Sequence, residues 1–350
     1  MAPTIRDVAK LAGVSHTTVS NVINNVPRVG MQTRQKVLEV METLGFEPNF
    51  VAKSLYTKRS YTVGYMVPAI TNGFFMSVAR GAERVLYRED LSLFLCDTTL
   101  EASRESDYLR RLIRHQVDGI IFNYAADRKS VVRAIKAGIP IVAIESPIDV
   151  PGASLVQVDN AAAAMIGVEH LAALGHNRIG VIAIDFESDV NSERMRGFRN
   201  GMKIHDLPLR EELLMRISGN RWDAYFDQMD DLTMSPLPAR RQFAKNVEGL
   251  LGLPDPPTAI FCFDYQSAIL LVRSLTGMGL TLGRDVSVVG FDCAAVISAP
   301  QLTTISQPAM EMGAFAAEML LERIANPGVK PRMLRLSAQL VIGETTGPPK

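Results

Sequence analysis

The sequence predicts a small all-α head followed by an α/β core of two doubly wound parallel-sheet lobes. Three observations carry that expectation. Two short amphipathic helices flank a glycine near the amino end, the pattern changes at Tyr61 to alternating strand-like and helical runs, and the same rhythm starts again at Asn160. At 350 residues, 47% hydrophobic and 21% charged, the chain is long enough for two or three units with well-buried cores.

The head opens with "TIRDVAKLAGVSHTTVSNVINN", Thr4 to Asn25. Ile5, Val8, Ala9 and Ala12 recur at helical spacing, Gly13 permits a sharp reversal, and Val19, Val22 and Ile23 give a second helix one apolar face. Val37, Leu38, Val40, Met41 and Leu44 mark a third helix that stops at Gly45. "PNFVAKSLYTKRS", from Pro48 to Ser60, is too short for a stable isolated helix and reads as a conditional hinge. The domains expected are residues 1–47 (head), 48–60 (hinge helix and linker) and 61–345 (core).

In the core, "TVGYMVP", "LSLFLC", "VDGIIF" and "IPIVAI" alternate with helical stretches, as do "RIGVIAI", "TAIFCF" and "VSVVGF" after Asn160. The two lobes are expected at about 61–160 with 293–325, and about 161–292 with 326–345. Such lobes bind ligands at the carboxyl ends of their strands, and a pair of them forms a cleft that can close.

Charge separates the two parts. Lys+Arg and Asp+Glu balance at 37 each, yet residues 1–60 hold eight basic residues against four acidic ones. A basic head on a slightly acidic body suits a head that meets phosphate backbone. The outward face of the second helix carries Ser15, His16, Thr17, Thr18, Ser20 and Asn21, short polar groups suited to phosphates and base edges in a major groove. The head therefore reads as a helix-turn-helix that grips double-stranded DNA.

Other classes fit poorly. Cys96, Cys262 and Cys293 form no CxxC pair, so neither a zinc knuckle nor a redox motif is expected, and no metal or cofactor. No GxSxG, Walker or HExxH motif is present, and "GMGLTLG" follows a helix instead of opening one, so no enzyme is expected. His170 and His176 suggest helix capping. The amino end lacks an apolar signal core, and no run approaches the ~20 apolar residues of a membrane span. A cytoplasmic protein without membrane contact is expected.

Nine stretches in order then resemble the lactose repressor (LacI/GalR) family of bacterial transcription regulators. They are the head stretch above, "PRVGMQTRQKVLEVMETLGFEPNFVAKSL", "TVGYMVPAITNGFFMSVARGAE", "VDGIIF", "HLAALGHNRIGVI", "ERMRGFR", "VSVVGFD", "LTTISQPAMEMGAFAAEMLLERI" and "ETTGPP". The resemblance implies a core like that of periplasmic sugar-binding proteins and an effector that changes DNA affinity. Ser15, Thr18, Ser20 and Asn24 would hold phosphates, His16, Thr17 and Asn21 would face bases, and Thr4 would be a further DNA-binding residue. The family usually has Arg at the position of Asn21, which would bond guanine, whereas Asn prefers adenine. In the hinge, Asn49, Ala52 and Leu55 match the family pattern, in which the leucine wedges between base steps of the minor groove. Two hinges need two chains, so a homodimer on a pseudo-palindromic operator is implied. The stretch ending in "GETTGPPK" shows no apolar heptad repeat of the kind that makes family tetramers, so a dimer is the expected state.

The effector site would draw on Phe74, Phe75, Asn123, Tyr124, Glu145, Arg194, Trp222, Asp264 and Asp292. These are polar or planar groups at strand ends that match cleft positions of the family. Core packing is the competing reading for Phe75 and Trp222, as linker packing is for Leu55. Arg194 and Asp292 are charges that need partners. The stretch 229–240 looks like an insertion near the cleft. The expected function is a repressor of a carbohydrate-utilisation operon, switched by a sugar or sugar derivative. A corepressor-dependent regulator taking a nucleobase or a phosphorylated metabolite is the alternative within the class. A plain solute-binding protein is the alternative outside it, set against by the basic head.

Overall fold

Thr4 starts the first helix because its backbone N–H and its hydroxyl both donate to the Asp7 carboxylate, at 2.8 and 2.7 Å. One orphan donor is satisfied, and an anion sits at the positive end of the helix. Helix α1 (Ile5–Ala12) then ends at Gly13, whose φ of +65° costs a glycine nothing. Ser15 caps α2 (His16–Ile23) by accepting the Thr18 N–H at 3.0 Å. Helix α3 (Met31–Leu44) closes the head, with Val8, Ala12, Val19, Val22 and Val37 buried between the three. The computed structural model describes residues 3–24, 26–47, 57, 59–99, 101–123, 128–146, 150–185, 189–218, 238–292 and 301–350. It divides into two units, Met1–Tyr61 and Thr62–Lys350.

The second unit runs β1 (Thr62–Val67), α4 (Gly73–Arg88), β2 (Ser92–Asp97), α5 (Ala102–Arg114), β3 (Gly119–Asn123), α6 (Arg128–Lys136), β4 (Ile141–Ile144) and β5 (Ser154–Val158). It continues with α7 (Asn160–Ala173), β6 (Ile179–Asp185), α8 (Asp189–Ile204), β7 (Leu214–Ser218), α9 (Pro238–Leu251), β8 (Ala259–Cys262), α10 (Tyr265–Gly277) and β9 (Ser287–Phe291). It ends with β10 (Thr303–Ser306), α11 (Ala309–Ala325), β11 (Met333–Leu336) and β12 (Gln339–Val341). The strands form two sheets, ordered β11-β5-β4-β3-β1-β2 and β12-β10-β9-β8-β6-β7, parallel except for the β10–β12 pair. Strands β1, β3 and β4 are buried at every position, as parallel strands covered by helices on both faces must be.

Helix α11 belongs to the first lobe, where Met312, Ala316 and Leu320 pack with Val78, Ala82 and Leu86 of α4. The backbones meet at Gly81 and Gly313: a Cβ on Gly81 would lie 1.9 Å from the Met310 carbonyl oxygen, and one on Gly313 2.0 Å from that of Val78. The sequence reading returned the chain to the first lobe near residue 293 and to the second near 326. Strand pairing moves both crossings: β10 pairs with β9 of the second sheet, and β11 with β5 of the first. The crossings therefore fall at Asp159, at Gln307–Pro308 and at Ser337–Ala338. Strands β10 and β11 have four residues each, too few for periodicity to place them. Among the described residues no helix is long and apolar enough to cross a membrane.

Candidate functional site

On the head, the polar side of α2 is open. Thr4, Ser15, His16 and Thr17 are exposed, and Thr18, Ser20, Asn21 and Asn24 are half-buried. Ser15 Oγ also lies 2.8 Å from Thr18 Oγ1, so the two hydroxyls share one proton and leave the other for an external acceptor. Asn24 is turned inward: its Nδ2 donates to the Ser20 carbonyl at 2.9 Å, capping the end of α2, and its Oδ1 is buried without a donor. In this arrangement both amide hydrogens of Asn24 face Ser20, whose carbonyl and hydroxyl oxygens accept them.

In the core, strand ends of both lobes converge around Arg194, which is 5% exposed. Its Nε donates to Asn160 Oδ1 at 2.8 Å, its Nη1 to the Phe263 carbonyl oxygen, its Nη2 lies 3.8 Å from Asp292 Oδ2, and its plane sits 3.6 Å over the Phe291 ring. Asn160 Nδ2 in turn donates to Glu145 Oε2 at 2.7 Å, and Glu145 Oε1 accepts the Val158 N–H. A chain of contacts thus runs from the end of β4 in the first lobe to the end of β9 in the second. Both terminal acids adopt left-handed backbone, φ +45° at Glu145 and +65° at Asp292, the kind of strain that persists where surroundings enforce it.

The electrostatics follow from three carboxylates sharing one guanidinium. Burial pushes Glu145 up to about 7, against the pull of Asn160 and Arg194. Burial also raises Asp264 and Asp292, the latter opposed by Arg194 and Gln307. Asp264 is the N-cap of α10, accepting from the Ser267 N–H at 2.8 Å and its hydroxyl at 2.6 Å, so a local structural role explains its presence.

Beside this cluster lies a cavity of about 260 Å³, lined from the first lobe by Phe74, Ser77 and Glu311 and from the second by Tyr265, Asp292 and Gln307, among others. Phe74 stands at the start of α4, below its Asn72 cap. Phe75 meets Phe74 edge-on at 5.5 Å and packs against the first-lobe core instead of lining the cavity. Asn123 is tied inward, accepting from the buried Tyr65 hydroxyl and donating to the Ile144 carbonyl, so it braces the sheet end behind the cleft. Asn49, Ala52, Leu55, Tyr124, Trp222, Cys293 and residues 229–237 lie outside the described residues.

Sequence reading missed Asn160, which bridges Glu145 and Arg194, and Gln307, whose Nε2 lies 2.7 Å from both Asp292 oxygens. A polar residue at the end of "TTISQ" was the available signal. His176 does not cap a helix: its Nε2 donates to the Gly347 carbonyl at 2.8 Å and its Nδ1 accepts from Thr258 Oγ1, so a neutral ring pins the carboxyl-terminal segment. His170 Nε2 lies 3.0 Å from Thr346 Oγ1 of the same segment. No group of His, Cys, Asp and Glu arranged to hold a metal ion occurs among the described residues.

Comparison with known proteins points the same way along the whole chain. Residues 4–49 match the model described as bacterial regulatory proteins, lacI family. Residues 60–239 match periplasmic binding proteins and sugar binding domain of LacI family, and residues 168–346 a periplasmic binding protein-like domain. The HTH-type transcriptional repressor PurR of Vibrio vulnificus (strain CMCP6) is 33% identical over 349 residues, 98% of each chain. Among solved structures, the Lac repressor dimer bound to operator and the anti-inducer ONPF is similar with a TM-score of 0.79 at 26% identity, over 99% of this chain and 100% of that one. The transcriptional regulator CelR in complex with cellobiose is similar with a TM-score of 0.67 at 26% identity, over 98% of this chain and 99% of that one.

Proposed function

The chain belongs to the lacI family of bacterial regulatory proteins and is a DNA-binding transcriptional repressor; on that premise we propose that it binds a pseudo-palindromic operator as a homodimer and is switched by a small molecule held between its lobes. The observation that carries this reading is the cavity of about 260 Å³, whose walls come from both lobes. A ligand touching both walls binds one lobe arrangement better than another, and that difference is what shifts a two-state equilibrium.

The effector is read as a sugar or sugar derivative, and the regulated genes as carbohydrate-utilisation genes. Phe74 supplies an apolar wall and Asp292, Ser77 and Tyr265 supply polar groups, a combination that suits a ring with an apolar face and hydroxyl edges. A nucleobase corepressor is the second reading, favoured by the same Phe74, against which a planar base can stack. Homodimer formation is supported by the edge strand β2, on which Phe94 is 51% and Leu95 44% exposed, and by Tyr87 of α4, 75% exposed. The proposed role has no catalytic step, and a protein that binds an operator would work in the cytoplasm.

The test is made on the purified full chain. Operator sequences are selected from random duplexes, and sugars, sugar derivatives and nucleobases are screened by thermal shift and by emission of Trp222. Sequence-specific binding that one compound alters, and that removal of residues 1–60 abolishes while that compound still binds, is the expected result. Absence of any sequence preference with every compound tried would refute the reading.

A further inference from the structure

Helices α5 and α6 cover one face of the first sheet with Leu109, Leu112, Val131 and Ala134, and the Ser106 and Ser130 hydroxyls meet between them at 3.1 Å. The two helices hold eight basic residues against two acidic ones, whereas the rest of residues 61–350 holds 21 against 31. On an otherwise acidic body they make one positive face.

The charge gathers where the helices end. Arg111 and Arg114 stand three apart near the end of α5, and Arg133 and Lys136 three apart at the end of α6; all four are exposed, and among the described residues none is in an ion pair. The acids of the same helices do not neutralise them, because Asp107 is taken by Arg110 at 2.5 Å and Glu105 is 2% exposed. A cation favours a helix carboxyl end, but like charges at this spacing repel one another. An array of anions relieves that repulsion, and a guanidinium bonds phosphate well.

Position says which polyanion. The strands of this sheet are parallel and each helix runs back against them, so these helix ends stand at the amino ends of the strands, away from the cleft. The chain enters the core there: the Asp118 N–H, four residues after Arg114, donates at 2.8 Å to the carbonyl of Thr62, the first residue of β1. Lys330 is exposed before β11 at the same end, and the exposed acids Glu89 and Asp90 precede the edge strand β2. DNA gripped by the head is tied to this end through residues 48–60, which span at most about 45 Å, and a tethered site meets its ligand at high effective concentration.

We propose that the exposed ends of α5 and α6, with Arg111, Arg114, Arg133 and Lys136, form a second DNA surface that holds the phosphate backbone of duplex flanking the operator. The inference rests on the reading of the head as the part that finds the operator.

The full chain is tested on the selected operator at minimal length and with about ten further base pairs of arbitrary sequence, roughly one helical turn, on each side. At about 0.1 M salt the flanked duplex is expected to bind about fivefold or more tighter, with a salt dependence steeper by about 0.9 for each phosphate engaged. Arg111→Gln, Arg114→Gln, Arg133→Gln and Lys136→Gln together are expected to remove both differences and leave base preference intact, since phosphate contacts carry no sequence information. The pair on either helix alone is expected to remove about half. Lys203→Gln, Arg241→Gln, Lys245→Gln and Arg273→Gln, at exposed positions of the second lobe, remove the same charge and are expected to keep the gain. Equal affinity for the two duplexes, a gain that survives the first fourfold variant, or an equal loss in the second overturns the inference. Binding of poly-glutamate without any gain from flanks would assign the surface to an acidic polypeptide and overturns it too. Sequence-specific binding without a flank gain overturns this inference alone. Should the chain prefer no sequence, the operator reading fails, and equal salt slopes of parent and first variant on an arbitrary duplex overturn this one.

Discussion

Glu145 is a carboxyl whose ionisation burial opposes. Its carboxyl is half-buried at the end of β4 and titrates at about 7 against an ordinary 4.5. The folded protein therefore binds this proton more tightly than the unfolded chain does. The stability this contributes is present below about pH 4.5 and is lost as pH rises through about 7. His170 and His176 act oppositely: burial holds both below the usual 6.5, so their contribution is lost as pH falls below that value. Comparing the chain with Glu145→Gln isolates the carboxylate. In melting curves from pH 5 to 8 the variant is expected to gain stability relative to the parent as pH rises, and a pH-independent difference would contradict the assignment. Asp292 was legible as a charge that ends the apolar run "VSVVGF", and Arg194 as a charge before Gly197-Phe198 that matches a cleft position of the family. Asn160 and Gln307 were not, because an amide's importance depends on which charges the fold sets at its two ends.

At the scale of elements, α2 and the α4–α11 crossing make separate demands. Asn21 is half-buried on the outward side of α2, and an amide that reaches a base edge prefers adenine N6 and N7. Asn21→Arg is expected to move the operator preference at one base pair of each half-site toward guanine, by about 1–3 kcal/mol in competition binding of selected duplexes. An unchanged preference would show that this side chain does not read bases. Between α4 and α11 the requirement is steric. Gly81→Ala drives a methyl into the Met310 carbonyl, and denaturant unfolding should show a loss of about 2 kcal/mol or more. Gly249→Ala, at an exposed position of α9, meets no atom within 4 Å, and should gain roughly 0.5–1 kcal/mol through helix propensity. A sequence shows all three positions as small or polar helical residues; only the neighbouring backbone tells them apart.

For the whole molecule, the proposed homodimer would cover the exposed apolar residues Phe94 and Leu95 of β2. Phe94→Glu with Leu95→Glu places charge on an edge strand without entering the core. Sedimentation should then show monomers where the parent sediments as a dimer, with operator affinity falling because one head reaches only one half-site. Dimers that persist in the double variant would place the contact elsewhere. Of the three crossings, at 159, at 307–308 and at 337–338, two end in groups of the polar cluster, with Asn160 bonded to Glu145 and Gln307 to Asp292, so under the proposed switch a ligand that displaced these bonds would act where the chain passes between lobes.

The order of residues alone determined the three-helix head, the two-lobed α/β core and the strand ends that face the cleft. Each of these follows from local pattern: apolar spacing, caps and glycines act within a few residues of one another, and a chain displays them in one dimension. What only the tertiary structure decided is where the last segments cross between lobes, that His176 ties down the carboxyl-terminal segment and that Gln307 holds Asp292. Those outcomes depend on groups far apart in the chain, 171 positions for His176 and Gly347. Burial and the removal of water set their energies, and neither is defined until the chain has closed on itself.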